Sequence, residues 1–234
     1  MARSAPSFSS AATRLGSASR QPFANNGRLL CPVISRRHYF CRIIMLPLIE
    51  IETERLLLRQ WRATDFQPFA QLNADKEVMA FFPSMLSEQE SNAIAHRCSA
   101  LIAERGWGFW AVQEKASGFF IGFIGLHEPS AELPFSPCVE VGWRLARQWW
   151  GKGLATEGAG AVLEFAFNTL SLKEVVAFTS VHNVRSEAVM RRLGMQRDSA
   201  TFEHPSVPVG LALRTHCLYR ASAAGYSGRP SRNC

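Results

Sequence analysis

The stretch that most constrains how this chain folds is CVEVGWRLARQWWGKGLATEGAGAVLEFAFNTL, residues 138–170. Residues 138–145 read as a strand. From Gly153 onward, Ala155, Ala159, Val162, Ala166 and Leu170 recur at helical spacing. Between them lies a turn with two glycines, Gly151 and Gly153. Glycines let a backbone approach a ligand closely, and the first N–H groups of the helix, from Gly153 through Leu154 to Ala155, would point at an anion with the helix dipole behind them. Two familiar phosphate loops are excluded. A Walker loop needs Ser or Thr after Gly-Lys, but Gly153 follows Lys152. A dinucleotide fingerprint needs a third glycine where Thr156 stands, and an acid after the next strand that is not suitably placed here. What remains, Gln148-x-x-Gly151-x-Gly153, either cradles an anion or only makes a turn.

Other segments fit the same plan. RLLLRQW, from Arg55, has the look of a buried first strand, and Thr64 and Asp65 offer N-caps for a short helix through Leu72. SEQE at residues 87–90 is a capping box opening a helix with Ile94, Cys98, Leu101 and Ile102 on one face. GFWAVQ and GFFIGFIGLHE read as strands joined by a turn at residues 115–118. EVVAFTS is a β-branched strand, RSEAVMRRLG a short helix closed by Gly194, and MQRDSATF and LRTHCLYR are the last strands. With no repeat or low-complexity linker inside residues 50–221, these elements imply one α/β domain.

The net charge of +7 does not belong to that domain. Residues 1–49 hold seven arginines and no acid, which leaves nineteen basic and nineteen acidic residues in the remainder. A broad electrostatic footprint for nucleic acid on the folded body is therefore not expected. The Ser-, Ala- and Arg-rich extension matches a transit peptide in composition. Met45 competes as the true start, because the folded pattern begins beside it; a ribosome-binding arm is a third reading. Residues 222–234 read as a disordered end. Six scattered cysteines without a C-x-x-C pair, and histidines without ligand spacing, argue against a metal site or a disulfide framework. A reducing compartment follows, with the cytoplasm as the expected location unless the extension targets an organelle. No apolar run is long enough to span a bilayer.

Three motifs in order, ETERLLLRQW, VEVGWRL before QWWGKGLATE, and NVRSEAVMRRLGM after the next strand, resemble the GNAT superfamily of N-acetyltransferases, in its RimJ/RimL-like branch. The resemblance runs from Glu52 to Arg220. It implies a GNAT fold, a mixed central β-sheet splayed at a bulge in the strand carrying Val141 and Leu145 and flanked by helices. It implies acetyl-CoA as co-substrate, with its pyrophosphate at the glycine turn, and a primary amine as acceptor, either a small molecule or a protein N-terminus. The resemblance places acetyl-CoA at Trp143, Leu145, Gln148, Gly151, Lys152, Gly153, Leu154, Ala155 and Asn183, and requires no metal. A catalytically silent acyl-CoA-binding or regulatory module on the same fold would share the turn.

Acetyl transfer to an amine requires a neutral amine, a stabilised oxyanion and a thiolate that can leave. Glu140 is the candidate base, with an exposed strand residue or an ion-pair partner as the plainer alternative. Ser186 is the candidate acid, with a solvent-facing first-turn residue as its alternative; Asn183 could equally be a helix N-cap. Tyr219, in the last strand, is not apparent as an acid. FFPSM (residues 81–85) and GWGFW (residues 106–110) would shape the acceptor pocket, although such aromatics are more often core. His127 and His204 receive no role, and Gly158 and Gly160 inside the helix have no evident reason. A chain beginning at Met45 is expected to match the full chain in thermal midpoint and in transfer rate; insolubility, or activity lost at saturating substrate, would make the extension part of the fold.

Overall fold

A computed structural model of the chain describes residues 48–226. Most of the basic extension, Met45 included, and the tail from residue 227 lie outside the described residues. The strands are β1 (Ile51–Glu52), β2 (Leu56–Arg59), β3 (Phe109–Glu114), β4 (Phe120–His127), β5 (Glu140–Leu145), β6 (Glu174–Ser180), β7 (Gln196–Glu203) and β8 (Thr215–Ser222). The helices are α1 (Phe66–Asn73), α2 (Glu88–Arg105), α3 (Leu154–Asn168) and α4 (Val184–Arg192). The strands form one sheet in the order β1-β2-β3-β4-β5-β6-β8-β7, antiparallel throughout except between β5 and β6. This is the mixed α/β architecture expected from the sequence.

Helices cover both faces. Successive strand residues point to opposite sides of a sheet, and Phe123 and Ile124 of β4 show which helices lie where. Phe123 meets Phe69 of α1 at 5.9 Å between ring centroids, whereas Ile124 lies under Gly158 of α3. The core thus has two halves, with α1 and α2 on one and α3 on the other. At the start of α2 the capping box forms as expected: Glu90 N–H donates to Ser87 Oγ (3.3 Å) and Ser87 N–H to Glu90 Oε2 (2.8 Å).

Three sequence readings need adjustment. Residues 63–65 form a 3-10 turn before α1, and Asp65 does not cap the helix itself. Its carboxylate accepts from Arg62 N–H and makes a buried two-pronged pair with Arg59, at 2.7 and 2.9 Å. The bulge lies in β4, where Val112 pairs with Gly122 and Gln113 with Phe120, leaving Ile121 as the extra residue. Strand β5, where the resemblance placed the bulge, pairs with β4 residue for residue from Leu145 to Glu140. Ordered packing also continues past residue 221, since Tyr226 donates to Gly160 O (3.1 Å) and its ring meets Phe167.

The two helix glycines now separate. A Cβ on Gly158 would stand 2.5 Å from Ile124 Cδ1 and 3.2 Å from Leu56 Cδ1, both fully buried side chains. One on Gly160 would meet only ordinary contacts at 3.7 and 3.8 Å. Gly160→Ala should therefore stabilise, by up to about 1 kcal/mol from helix propensity. Gly158→Ala gains the same propensity but overpacks buried Ile124 and Leu56 at a cost of about 1–3 kcal/mol, so it should be the less stable of the two. Urea unfolding of the two variants checks the contrast, and equal shifts of the same sign would contradict it.

Candidate functional site

The site begins where the sheet parts. Between β5 and β6 a single residue pair, Glu140 opposite Val176, is in register, with Val176 N–H donating to Val139 O at 2.9 Å. Ala146 N–H donates to Ile121 O in the β4 ladder (2.9 Å). Because backbone groups alternate sides along a strand, those of Gly142 and Arg144 also face β4, and those of Trp143 and Leu145 face the gap. Leu145 O is taken by Trp150 Nε1 (2.8 Å). The Trp143 and Leu145 N–H groups remain as donors along an open edge. Leu145 itself is buried, so what it offers the gap is backbone.

Beyond β5 the chain makes a short 3-10 turn, Arg147–Trp149, then passes through Gly151 and Gly153 into α3. Both glycines hold positive φ, +74° and +77°, which L side chains rarely adopt. Gly153 is the N-cap of α3, so the helix begins one residue later than the sequence suggested, and no side chain caps it. The first N–H groups of α3, Leu154 and Ala155 among them, have no side-chain cap, an arrangement that suits an anion. The Leu154 side chain is core. The Lys152 ammonium lies over the Trp149 ring at 4.6 Å, and Gln148 is exposed on the 3-10 turn.

A clamp that sequence reasoning missed holds this turn. Glu157, in the first turn of α3, accepts from Thr53 Oγ1 (2.6 Å), Arg55 N–H (2.8 Å) and Arg55 Nε (2.6 Å). The same guanidinium donates through Nη1 to Lys152 O (2.9 Å). Thr53 and Arg55 come from the β1–β2 hairpin, so the first motif braces the second. The available signal was an acid in the first turn after the glycines, where the helix dipole favours it.

At the start of α4, Asn183 and Ser186 come together as a cap. Ser186 N–H donates to Asn183 Oδ1 (3.2 Å), and Asn183 Nδ2 donates to Thr179 Oγ1 (3.0 Å) and Ser186 Oγ (3.1 Å). The capping role weighed for Asn183 is therefore present. It also fixes Ser186 Oγ as an acceptor, leaving the hydroxyl proton to be given elsewhere. Tyr219 is committed: it is buried in β8, donates to Glu187 Oε1 (2.8 Å) and accepts from Arg191 Nε (3.2 Å).

Glu140, Gly142 and Arg144 line the α1–α2 face of β5. No hydrogen bond or ion pair reaches Glu140 among the described residues, and burial pushes its carboxyl up to about 8. The ion-pair alternative for Glu140 does not arise here. Its cross-strand partner is His127, whose ring stacks on Phe109 at 5.2 Å and whose pKa burial lowers. The two expected aromatic segments contribute Phe109, beside Gly142, and Phe82, over Arg144. Trp110 belongs to the core. His204 lies away from this face, among Phe178, Phe202 and His216. Among the described residues, no group of three or more His, Cys, Asp or Glu could hold a metal ion, and no helix is long and apolar enough to cross a membrane.

The chain belongs to the GNAT acetyltransferases: the family model for the acetyltransferase (GNAT) domain matches residues 55–196, more than half of it. The chain is 28% identical over 163 residues to an uncharacterized N-acetyltransferase, YnaD, of Bacillus subtilis (strain 168), covering 69% of this chain and 90% of that protein. An acetyltransferase from Agrobacterium tumefaciens str. C58 shares the fold with a TM-score of 0.60 at 27% identity, over 75% of this chain and 95% of that one. RimL, a ribosomal L7/L12 alpha-N-protein acetyltransferase solved with coenzyme A, shares it with a TM-score of 0.60 at 16% identity, over 74% and 98%. The protein is an acetyl-CoA-dependent N-acetyltransferase.

The raised carboxyl makes a prediction about stability. Glu140 is ordinarily half-ionised near 4.5 and here near 8. Between those values the folded state binds more protons than the unfolded state, so this residue's contribution is full below pH 4.5 and is lost as pH rises through 8. Glu140→Gln removes that dependence. The melting temperature of the native chain should therefore fall relative to the variant between pH 5 and 9. Parallel curves across that range would show an ordinary, solvated carboxylate.

Proposed function

We propose that the parted edge of β5 receives the thioester of acetyl-CoA, that residues 151–153 and the first turn of α3 hold its pyrophosphate, and that Glu140 takes the proton from a primary amine. The observation that carries this reading is the unpaired, half-buried Glu140 carboxyl, its pKa raised by burial, at the point where β5 still meets β6. A base is most effective with a pKa near the working pH, and a carboxyl moved from 4.5 to about 8 meets that condition.

The residues fit the donor chemically. Trp143 and Leu145 supply N–H groups along the gap, as oxyanion donors or as partners for the pantetheine amides; one such donor is typically worth about 3–4 kcal/mol to an oxyanion. Uncapped N–H groups at the start of α3, with Lys152 beside them, suit a pyrophosphate. Gly151 and Gly153 give the turn its shape, and Ala155 keeps the first helical turn small. Gln148 is a polar reach from the preceding turn. Asn183 positions Ser186, whose free hydroxyl proton suits a departing thiolate. When bound, acetyl-CoA supplies the activated acyl group and the leaving thiol.

The acceptor is a primary amine, either a small molecule or a protein N-terminus; RimL's substrate supports the latter option by analogy alone. A lysine-like amine, with a pKa of about 10.4, needs roughly 4 kcal/mol to be neutral at physiological pH, whereas an α-amine near 7.7–8.0 needs far less. Glu140→Gln should lower kcat by about 10²–10⁴ while leaving the CoA dissociation constant unchanged. The deficit should shrink at high pH and be smaller for α-amines. Gly153→Asp should abolish CoA binding by calorimetry in a folded protein. Unaltered kcat and pH profile in Glu140→Gln would remove its base role, and a native chain that binds CoA but acetylates no amine would be a binding module.

A further inference from the structure

Arg59 is buried and Arg144 half-buried, and they differ in one further respect. Arg59 is buried and fully paired, its guanidinium gripping Asp65 at 2.7 and 2.9 Å. Arg144, in β5, has one hydrogen bond, from Nη1 to the neutral amide of Asn73 (Oδ1, 2.7 Å). Its Nε is buried and donates to nothing. The Phe82 ring lies 4.0 Å from its Cζ and the Phe123 ring 5.4 Å. No carboxylate pairs with it among the described residues. The one titratable group with an electrostatic effect on it is the Cys98 thiol, which burial pushes up to about 11 and so keeps neutral. Burial lowers Arg144 itself to about 10, so it remains a cation at neutral pH. A guanidinium has five N–H donors, and a half-buried cation without a counter-ion gives up hydration that nothing in the fold replaces.

We infer that Arg144 is the anion-binding element of the acceptor pocket and that the physiological amine acceptor carries a carboxylate paired with it. The inference rests on the function proposed above and names its substrate class. Arg144 shares a strand face with Glu140 and Gly142, four residues from the base, or about 13 Å between Cα atoms along the strand. The Phe109 ring, beside Gly142, lies between the two ends, and it packs on Phe123, the cross-strand neighbour of Arg144. An acceptor lying along this face would present its amine to Glu140, a short apolar stem to those rings, and its carboxylate to Arg144. Neutral Asn73, itself held by Ser91 (2.8 Å), fixes the guanidinium without discharging it. Such a carboxylate could belong to a free amino acid or to an acidic side chain beside a protein N-terminus.

The test compares matched acids and amides. One arm uses ω-amino acids from γ-aminobutyrate to ε-aminocaproate against their carboxamides, and the other uses peptides with Glu or Gln after the N-terminal residue. The acid should be preferred in kcat/KM by about ten- to a hundredfold in at least one arm, the scale of a charged hydrogen bond; the arm that shows it identifies the source. Arg144→Gln should erase the preference. Asn73→Asp, which gives Arg144 an internal carboxylate in nearly the same volume, should erase it too. Native enzyme that turns over acids and amides equally, or variants that keep the preference, would overturn the inference while the transferase reading stands. If no amine is acetylated, the transferase reading fails. The inference is then decided by calorimetry with N-acetyl-ε-aminocaproate and its amide, where equal affinity for the native protein overturns it and acid-selective binding lost in both variants supports it.

Discussion

Strand β5 meets β6 at one residue pair, Glu140 opposite Val176, and the rest of the site depends on that brief contact. A parallel ladder continued along β5 would have consumed the Trp143 and Leu145 N–H groups. Because the strands diverge, donors that a sheet normally satisfies internally face an opening. On the other side, β5 stays in unbroken register with β4. One strand is therefore held firmly along one edge and left free along the other, which suits a rigid template for a ligand.

The glycine turn is held in place by charge and hydrogen bonding. Arg55 spans from Glu157 on α3 to the Lys152 carbonyl, and Thr53 completes the carboxylate's coordination. This arrangement neutralises Glu157, whose pKa these bonds lower despite its partial burial. The acid's charge is thereby offset at the helix start, where we propose that the pyrophosphate sits. Elsewhere on β5 the opposite choice is made. Glu140 and Arg144 are half-buried without a partner of opposite charge among the described residues, each at a cost in stability. Local rules are most often broken at functional sites, and here both breaks fall on the strand whose free edge forms the gap.

Much of this was legible in the sequence because the signals were local. Capping at residues 87–90, the β3–β4 turn, and the helix stop at Gly194 depend on residues a few positions apart. Other features depend on partners far apart in the chain. Glu157 reads as an ordinary first-turn acid until the β1–β2 hairpin brings Thr53 and Arg55 to it. Asp65 reads as a helix cap until Arg59 draws it into a buried pair. Gly158 looks costly until Ile124 and Leu56 are found where its Cβ would be. Arg144 carried no signal at all, since an arginine in a strand is unremarkable until its surroundings prove to lack an acid. The bulge was placed by resemblance in β5, whereas the extra residue, Ile121, is in β4.

The central claim is that the Trp143 and Leu145 amides are free in the enzyme and engaged by its acyl donor. Residue-resolved hydrogen exchange, with and without acetyl-CoA, tests it most directly. These two amides should show little protection in the free enzyme compared with Gly142 and Arg144, which face β4, and a large gain on adding acetyl-CoA. Trp143 and Leu145 amides already protected like their neighbours, or unchanged by acetyl-CoA at saturating concentration, would contradict it.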